Sequence, residues 1–254
     1  MKIKELLKSL ILPIIFIISN GLLIITFSFI YLFTYYHKNP TDSYEMIINS
    51  KDFSSGLNNF INDFSILIVL ISFVIFMPIL IKKYKRFKIE SKKLNSKDVI
   101  VLVLIAITLS LFLNIGLYLL PFNNTSSTKL IITTLISTGL LGPILEEFLF
   151  RGYLYNKLKI FYNKKTAVIL TSIIFALFHL NLCQMIYAFI FGIFLALIYD
   201  KYQTLKAPII MHISANTLIL LIFKYIISLN LITLISLMII NLIIFGLLYI
   251  YKTK

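Results

Sequence analysis

The chain has one cysteine, Cys183, in 254 residues, so it can form neither an internal disulfide nor a multi-cysteine metal site. Glycine (8) and proline (6) are scarce, which leaves few loops to dilute the apolar residues. Negative charge is also scarce: ten Asp and Glu stand against 24 Lys and Arg, for a net charge of +14. An excess of this kind could coat a phosphate backbone. Here, however, the basic residues fall in short blocks between apolar runs, as they do in cytoplasmic membrane loops, and no nucleic-acid partner is expected. What the chain has in abundance is apolar side chains, at 59% of residues and a mean hydropathy of +0.96. A soluble core of this length could not enclose so many. Membrane lipid is therefore the expected surrounding, and the composition predicts an all-α polytopic membrane helix bundle forming a single domain over residues 1–254.

Eight apolar spans are expected, at about 11–36, 64–81, 99–120, 130–155, 166–182, 184–199, 207–223 and 231–249. The first is too long for a signal-peptide core and lacks a small-x-small cleavage site, so it reads as a retained helix. Residues 37–63 read as a polar loop, with turn signals at Asn39-Pro40-Thr41-Asp42 and Ser54-Ser55-Gly56. Pro121-Phe122-Asn123-Asn124 ends the third span. The fifth and sixth spans have almost no linker, which predicts a tight antiparallel pair. Eight spans put 20 of the 24 Lys and Arg on the side of the N-terminus; only Lys38, Lys51, Lys129 and Lys224 fall on the other side. Both termini are thus expected in the cytoplasm. Lys outnumbers Arg 22 to 2 and Ile, Asn and Leu abound, the coding bias of a low-GC bacterium, so the expected location is a bacterial cell membrane.

Eight of the ten acidic residues lie in loops or at span ends. Glu146 and Glu147 do not: they sit inside the apolar run Gly142-Pro143-Ile144-Leu145-Glu146-Glu147-Phe148-Leu149-Phe150-Arg151. A charge at membrane depth costs about 2.5–3.5 kcal/mol on insertion scales unless it is paired. Glu147 and Arg151 are four apart, share a helix face and can pair. Arginine in a chain that nearly always uses lysine points to planar, bidentate hydrogen bonding. Glu146 projects about 100° away and needs a partner from another helix. Of the three histidines, His37 follows Tyr35 and Tyr36 at a membrane edge and reads as interfacial, whereas His179 and His212 lie in different spans. His212 and Asn216 are one turn apart on one face, as are Phe175 and His179. At 1.5 Å per residue from the nearest inner lysines, Glu146, His179, His212 and Asn216 lie about 9 to 21 Å deep, so they can meet. Taken singly, each has a structural reading, as ion pair, packed histidine or interhelical asparagine. Convergence from three spans favours a site.

The spacings E-E-x-x-x-R (Glu146, Glu147, Arg151), F-x-x-x-H (Phe175, His179) and H-x-x-x-N (His212, Asn216) resemble the CAAX protease and bacteriocin-processing family (CPBP, or Abi) of intramembrane endopeptidases. Their order agrees, as do Phe189-Ile190-Phe191-Gly192 and Pro208, and the likeness covers roughly residues 100–225. Gln203-Thr204-Leu205 departs from the Thr-Gly-Ser turn of many members. The resemblance implies hydrolysis of a peptide bond near the cytoplasmic side of the membrane, in a peptide or protein substrate entering from the bilayer. By position it implies Glu146 as the base that activates water, with His179 sharing that task. It also implies His212 and Asn216 as oxyanion donors, and Glu147 with Arg151 as the brace that orients Glu146.

The family has been described as metalloproteases, and Glu146, His179 and His212 have the donor types of an open zinc site. H-E-x-x-H is absent, so no obligatory cofactor is expected and zinc remains the alternative. By analogy the role is maturation of a peptide precursor or bacteriocin immunity. Two other classes stay open. One is a non-catalytic membrane scaffold or immunity protein. The other is a proton-coupled transporter, against which the apolar outer halves of the spans weigh.

Overall fold

Long apolar runs can satisfy their backbone amides inside a bilayer only as helices or closed barrels. A computed structural model describes residues 2–40, 43–120, 132–179 and 181–253, and these contain helices and no strand. In chain order the helices are α1 (Lys2–Lys38), α2 (Tyr44–Asn49), α3 (Lys51–Asp63), α4 (Ser65–Lys85), α5 (Ser96–Tyr118), α6 (Ile132–Lys159), α7 (Lys164–Leu177), α8 (Leu182–Tyr202), α9 (Lys206–Ile226) and α10 (Leu231–Thr253). Six of them, α1, α4, α5, α6, α8 and α10, are long and apolar enough to cross a membrane, and the chain is an integral multi-pass membrane protein. The other two expected spans fall on α9, with its apolar stretch Lys206–Ile222, and on α7, whose 14 residues reach only about 21 Å. Thr41, Asp42, the Pro121–Asn124 stop, Lys129 and the expected start of the fourth span at Leu130 lie outside the described residues.

Residues 44–63 are not the loop that their polar residues and turn signals suggest. Ser43 accepts from the amide of Met46 and Ser50 from that of Phe53, so each caps a short helix. Ser54 and Ser55 then donate to the carbonyls of Lys51 and Asp52 inside α3 rather than forming a turn. Helix formation here is driven by an aromatic seam: Phe53 and Phe60 of α3, with Phe64, pack on Phe27, Tyr31 and Tyr35 of α1. Gly56 lies beneath the Tyr31 hydroxyl, where a side chain would collide with it.

Helix α8 is the centre of the bundle. One face presents Ala188, Gly192 and Ala196, the four-residue spacing of small side chains that lets membrane helices approach closely. Against it pack Phe150 and Leu154 of α6 and Val168 and Phe175 of α7, in a core that includes Phe76 and Leu80 of α4. The other face, with Phe191, Leu195 and Ile198, joins Leu102, Ile105 and Leu109 of α5 and Ala207, Met211 and Ala215 of α9 in a second core. α10 lies along α5. The expected tight antiparallel pair is α7 and α8.

One end of α8 is tied to its neighbours through a single carboxylate. Asp200 accepts from the Tyr155 hydroxyl at 2.8 Å and from Lys159 at 2.6 Å, and it pairs with Lys164 at 2.8 Å. Beside it, Asn156 donates to the Tyr199 hydroxyl at 2.6 Å. Asp200→Ala is expected to cost about 1–2 kcal/mol, because the lysines are half-exposed and only the tyrosine loses a buried acceptor. Thermal unfolding of the detergent-solubilised protein would show a midpoint lowered by a few degrees; an unchanged midpoint would mean that this tie contributes nothing.

Candidate functional site

The site is built on α6, which is not a uniform α-helix. Two wider π-helical stretches, Leu135–Leu141 and Phe148–Tyr155, flank the α-helical turn Gly142–Glu147 that carries both glutamates. Such stretches are rare and are often found at functional sites. At the first, the amide of Gly142 reaches back five residues to the Ser137 carbonyl. At the second, the Asn156 side chain supplies donors to the carbonyls of Arg151 and Gly152, at 3.0 and 2.9 Å.

Glu147 and Arg151 form the expected pair, 2.8 Å apart with both side chains fully buried. The Arg151 guanidinium also donates to the Gly192 carbonyl on α8 at 3.0 Å and lies 4.7 Å from the Phe175 ring centroid of α7. The pair thus joins three helices. The arginine needs the absence of a side chain at residue 192: a Cβ there would stand 3.1 Å from the Phe175 ring and 3.4 Å from the guanidinium.

His212 of α9 completes the centre. Its Nδ1 lies 2.8 Å from Glu147 Oε1, and its Nε2 lies 3.8 Å from Glu146 Oε2. A carboxylate at Nδ1 requires a proton on that nitrogen and turns Nε2 toward Glu146. The 3.8 Å spacing is too long for a direct hydrogen bond but short enough for both groups to share one small molecule. The two glutamates therefore differ sharply. Glu147 is fully buried and bonded to two partners, whereas Glu146 keeps 30% of its side chain exposed. Glu147 contacts Arg151 and His212, so the expected brace meets the histidine, which in turn faces Glu146.

The F-x-x-x-H spacing survives in a different setting. α7 stops at Leu177, and His179 lies just past its end rather than on a helix face, because Asn181 accepts from the Gln184 amide and starts α8. His179 Nδ1 is 3.1 Å from the Phe175 carbonyl oxygen. Phe175 meets His179 and His212 edge-on, at centroid distances of 5.2 and 5.8 Å, and so bridges the two histidines. Asn216 donates to the Thr138 carbonyl on α6 at 3.1 Å, which uses one of its two amide hydrogens. Among the described residues no three His, Cys, Asp or Glu side chains are placed to hold a metal ion. Glu146, His179 and His212 thus do not fit as three ligands of one zinc. Sequence reasoning missed Thr217, whose hydroxyl donates to the Gly139 carbonyl at 3.4 Å, and the ring of Phe191, 5.9 Å from that of His212. Phe191 lies in the family-like Phe189–Gly192 stretch, whereas nothing in the spacing marks Thr217.

Arg151→Met would leave the buried Glu147 carboxylate with His212 alone, at a cost of about 3–5 kcal/mol. Glu147→Gln combined with Arg151→Met should cost clearly less than the two single changes added together. Unfolding midpoints of the four proteins in detergent measure this coupling. Strictly additive costs would contradict a mutually dependent pair.

Residues 128–218, which span all of these motifs, match the model of the family described as Type II CAAX prenyl endopeptidase Rce1-like. Over 91 residues the chain is 31% identical to the Bacillus subtilis (strain 168) protein named "Putative membrane peptidase YdiL", a stretch amounting to 34% of this chain and 36% of that protein. The chain therefore matches about a third of the length of this curated relative. No solved structure matches. Over this segment, about a third of its length, the chain is similar to the CAAX prenyl endopeptidase family.

Proposed function

We propose that the protein is an intramembrane endopeptidase that hydrolyses a peptide bond of a membrane-associated peptide or protein. The observation that carries this reading is the contrast between two adjacent carboxylates. Glu147 is buried and committed to Arg151 and His212; Glu146 is accessible and faces a histidine nitrogen 3.8 Å away. Neighbouring acids held in different environments are a recurrent arrangement for acid–base chemistry.

In this proposal Glu146 takes a proton from a water lying between it and His212. The resulting hydroxide attacks the peptide carbonyl, and negative charge develops on the carbonyl oxygen. His212, protonated on both nitrogens, donates to that oxyanion from Nε2, and Asn216 donates through its second amide hydrogen. Glu146 then passes its proton to the departing amine. His179, next to His212 across Phe175, shares the handling of the proton. The proposal extends to eight membrane passes with both termini in the cytoplasm, to a bacterial cell membrane, and to peptide maturation or bacteriocin immunity as the setting. These follow from the placement of basic residues and the family, and they make the substrate a peptide precursor.

Removing a general base costs about 10²- to 10⁴-fold in rate. Glu146→Gln, which keeps the shape of the side chain, should therefore abolish processing while the protein still accumulates in the membrane. Mass spectrometry of membrane-associated peptides from cells carrying wild-type and Glu146→Gln protein is expected to reveal a precursor left uncut in the mutant. Identical peptide profiles would refute hydrolysis and leave a non-catalytic scaffold, and proton flux in liposomes would indicate transport instead.

A further inference from the structure

Proline has no amide hydrogen, so in a helix it leaves a carbonyl one turn earlier without its donor. Pro143 stands at the start of the turn that carries Glu146 and Glu147. Its absent N–H removes the donor that Gly139 O would receive from four residues ahead. Thr138 O is deprived as well. Its ordinary donor, the Gly142 amide, is drawn to Ser137 O, and the next amide along belongs to Pro143. Thr138 O is therefore left without an amide four or five residues ahead, and Gly139 O without the one four ahead, so both can take donors from another helix.

Consecutive side chains of α9 meet them. Asn216 donates to Thr138 O at 3.1 Å, and the Thr217 hydroxyl donates to Gly139 O at 3.4 Å. Residue 139 is a glycine, and a Cβ there would stand 3.3 Å from Thr217 Oγ1, so the missing side chain is what admits the hydroxyl. One turn before this contact on the same helix is His212. The cap thus connects the helix bearing the histidine, four and five residues beyond it, to the backbone about two turns before the glutamates.

We infer that Thr217 is a positioning residue: with Asn216 it caps the carbonyls released by Pro143 and sets the register of α6 against α9, so that Glu146 stands opposite His212. This inference rests on the endopeptidase reading and adds to it a residue that touches neither substrate nor the reacting atoms.

The test uses the full chain in its membrane and the precursor that accumulates in the Glu146→Gln strain. Thr217→Val is nearly isosteric and lacks the hydroxyl. It should slow processing about 10- to 100-fold, as expected for a small misplacement of a catalytic group, while protein level stays close to wild type. Thr217→Ser, which retains the donor, should recover most of the rate. Pro143→Ala supplies the missing amide, so in that background Thr217→Val should shift the unfolding midpoint less than it does alone. Processing by Thr217→Val at the wild-type rate, a Thr217→Ser protein as slow as Thr217→Val, or midpoint shifts that add in the Pro143→Ala background would each overturn the inference and leave the endopeptidase reading intact. If no precursor accumulates in the Glu146→Gln strain, the endopeptidase reading itself fails.

Discussion

Glu147 Oε1 receives both the Arg151 guanidinium and the His212 ring, each at 2.8 Å, and the arrangement of the bundle around the site follows from that shared oxygen. Lipid tails are as apolar as leucine, so no hydrophobic force draws membrane helices together; packing and polar contacts must do so. A lone carboxylate at this depth would cost several kcal/mol, as would a lone guanidinium, and neither can be buried without the other. Arg151 then reaches to the Gly192 carbonyl of α8, Phe175 of α7 covers its face, and His212 brings in α9. Four helices are held at one point by groups that have no acceptable alternative partner in lipid.

That constraint also separates the two glutamates. They are adjacent in sequence and about 100° apart on the helix, so the one that faces Arg151 is buried and the other cannot be. Glu146 is left at the edge of the polar centre with His212 Nε2 3.8 Å away and part of its surface open. Its different surroundings thus follow from helical geometry and from the ion pair of its neighbour.

The parts of this arrangement that the sequence revealed are those governed by local periodicity and by the cost of charge in lipid. The Glu147–Arg151 pair is a matter of four-residue spacing, and the need of Glu146 for a partner on another helix follows from its direction. The Asn39–Gly56 region misled because serine is a turn former in water. There Ser43 and Ser50 cap helices, and an aromatic seam between α1 and α3, made by contacts distant in sequence, decides the conformation. His179 was expected on a helix face; it lies beyond the end of α7 because Asn181 starts the next helix, and competition between an N-cap and a continuing apolar run is poorly marked in a sequence. That His212 bonds Glu147 rather than Glu146 alone depends on the rotation of α9 against α6, which no spacing within either helix encodes. Thr217 is the extreme case, since one threonine among many apolar neighbours gains its partner only from a carbonyl that a proline 74 positions earlier has set free.

The irregularity of α6 makes the site conditional on assembly of the bundle. Non-helical or widened backbone is tolerated at membrane depth only where protein groups replace its missing hydrogen bonds. At the first π stretch of α6 those groups come from another helix, Asn216 and Thr217 of α9; at the second the helix supplies its own, Asn156, which also donates to the Tyr199 hydroxyl of α8. An α6 inserted alone would lack the α9 donors at its first π stretch and would gain there by relaxing toward a regular α-helix. That change would rotate Glu147 away from its position relative to the rest of the bundle. The turn bearing both carboxylates therefore reaches its working geometry only when α8 and α9 are packed against it. Glu146 is thereby kept without its histidine neighbour until α9 is packed against α6.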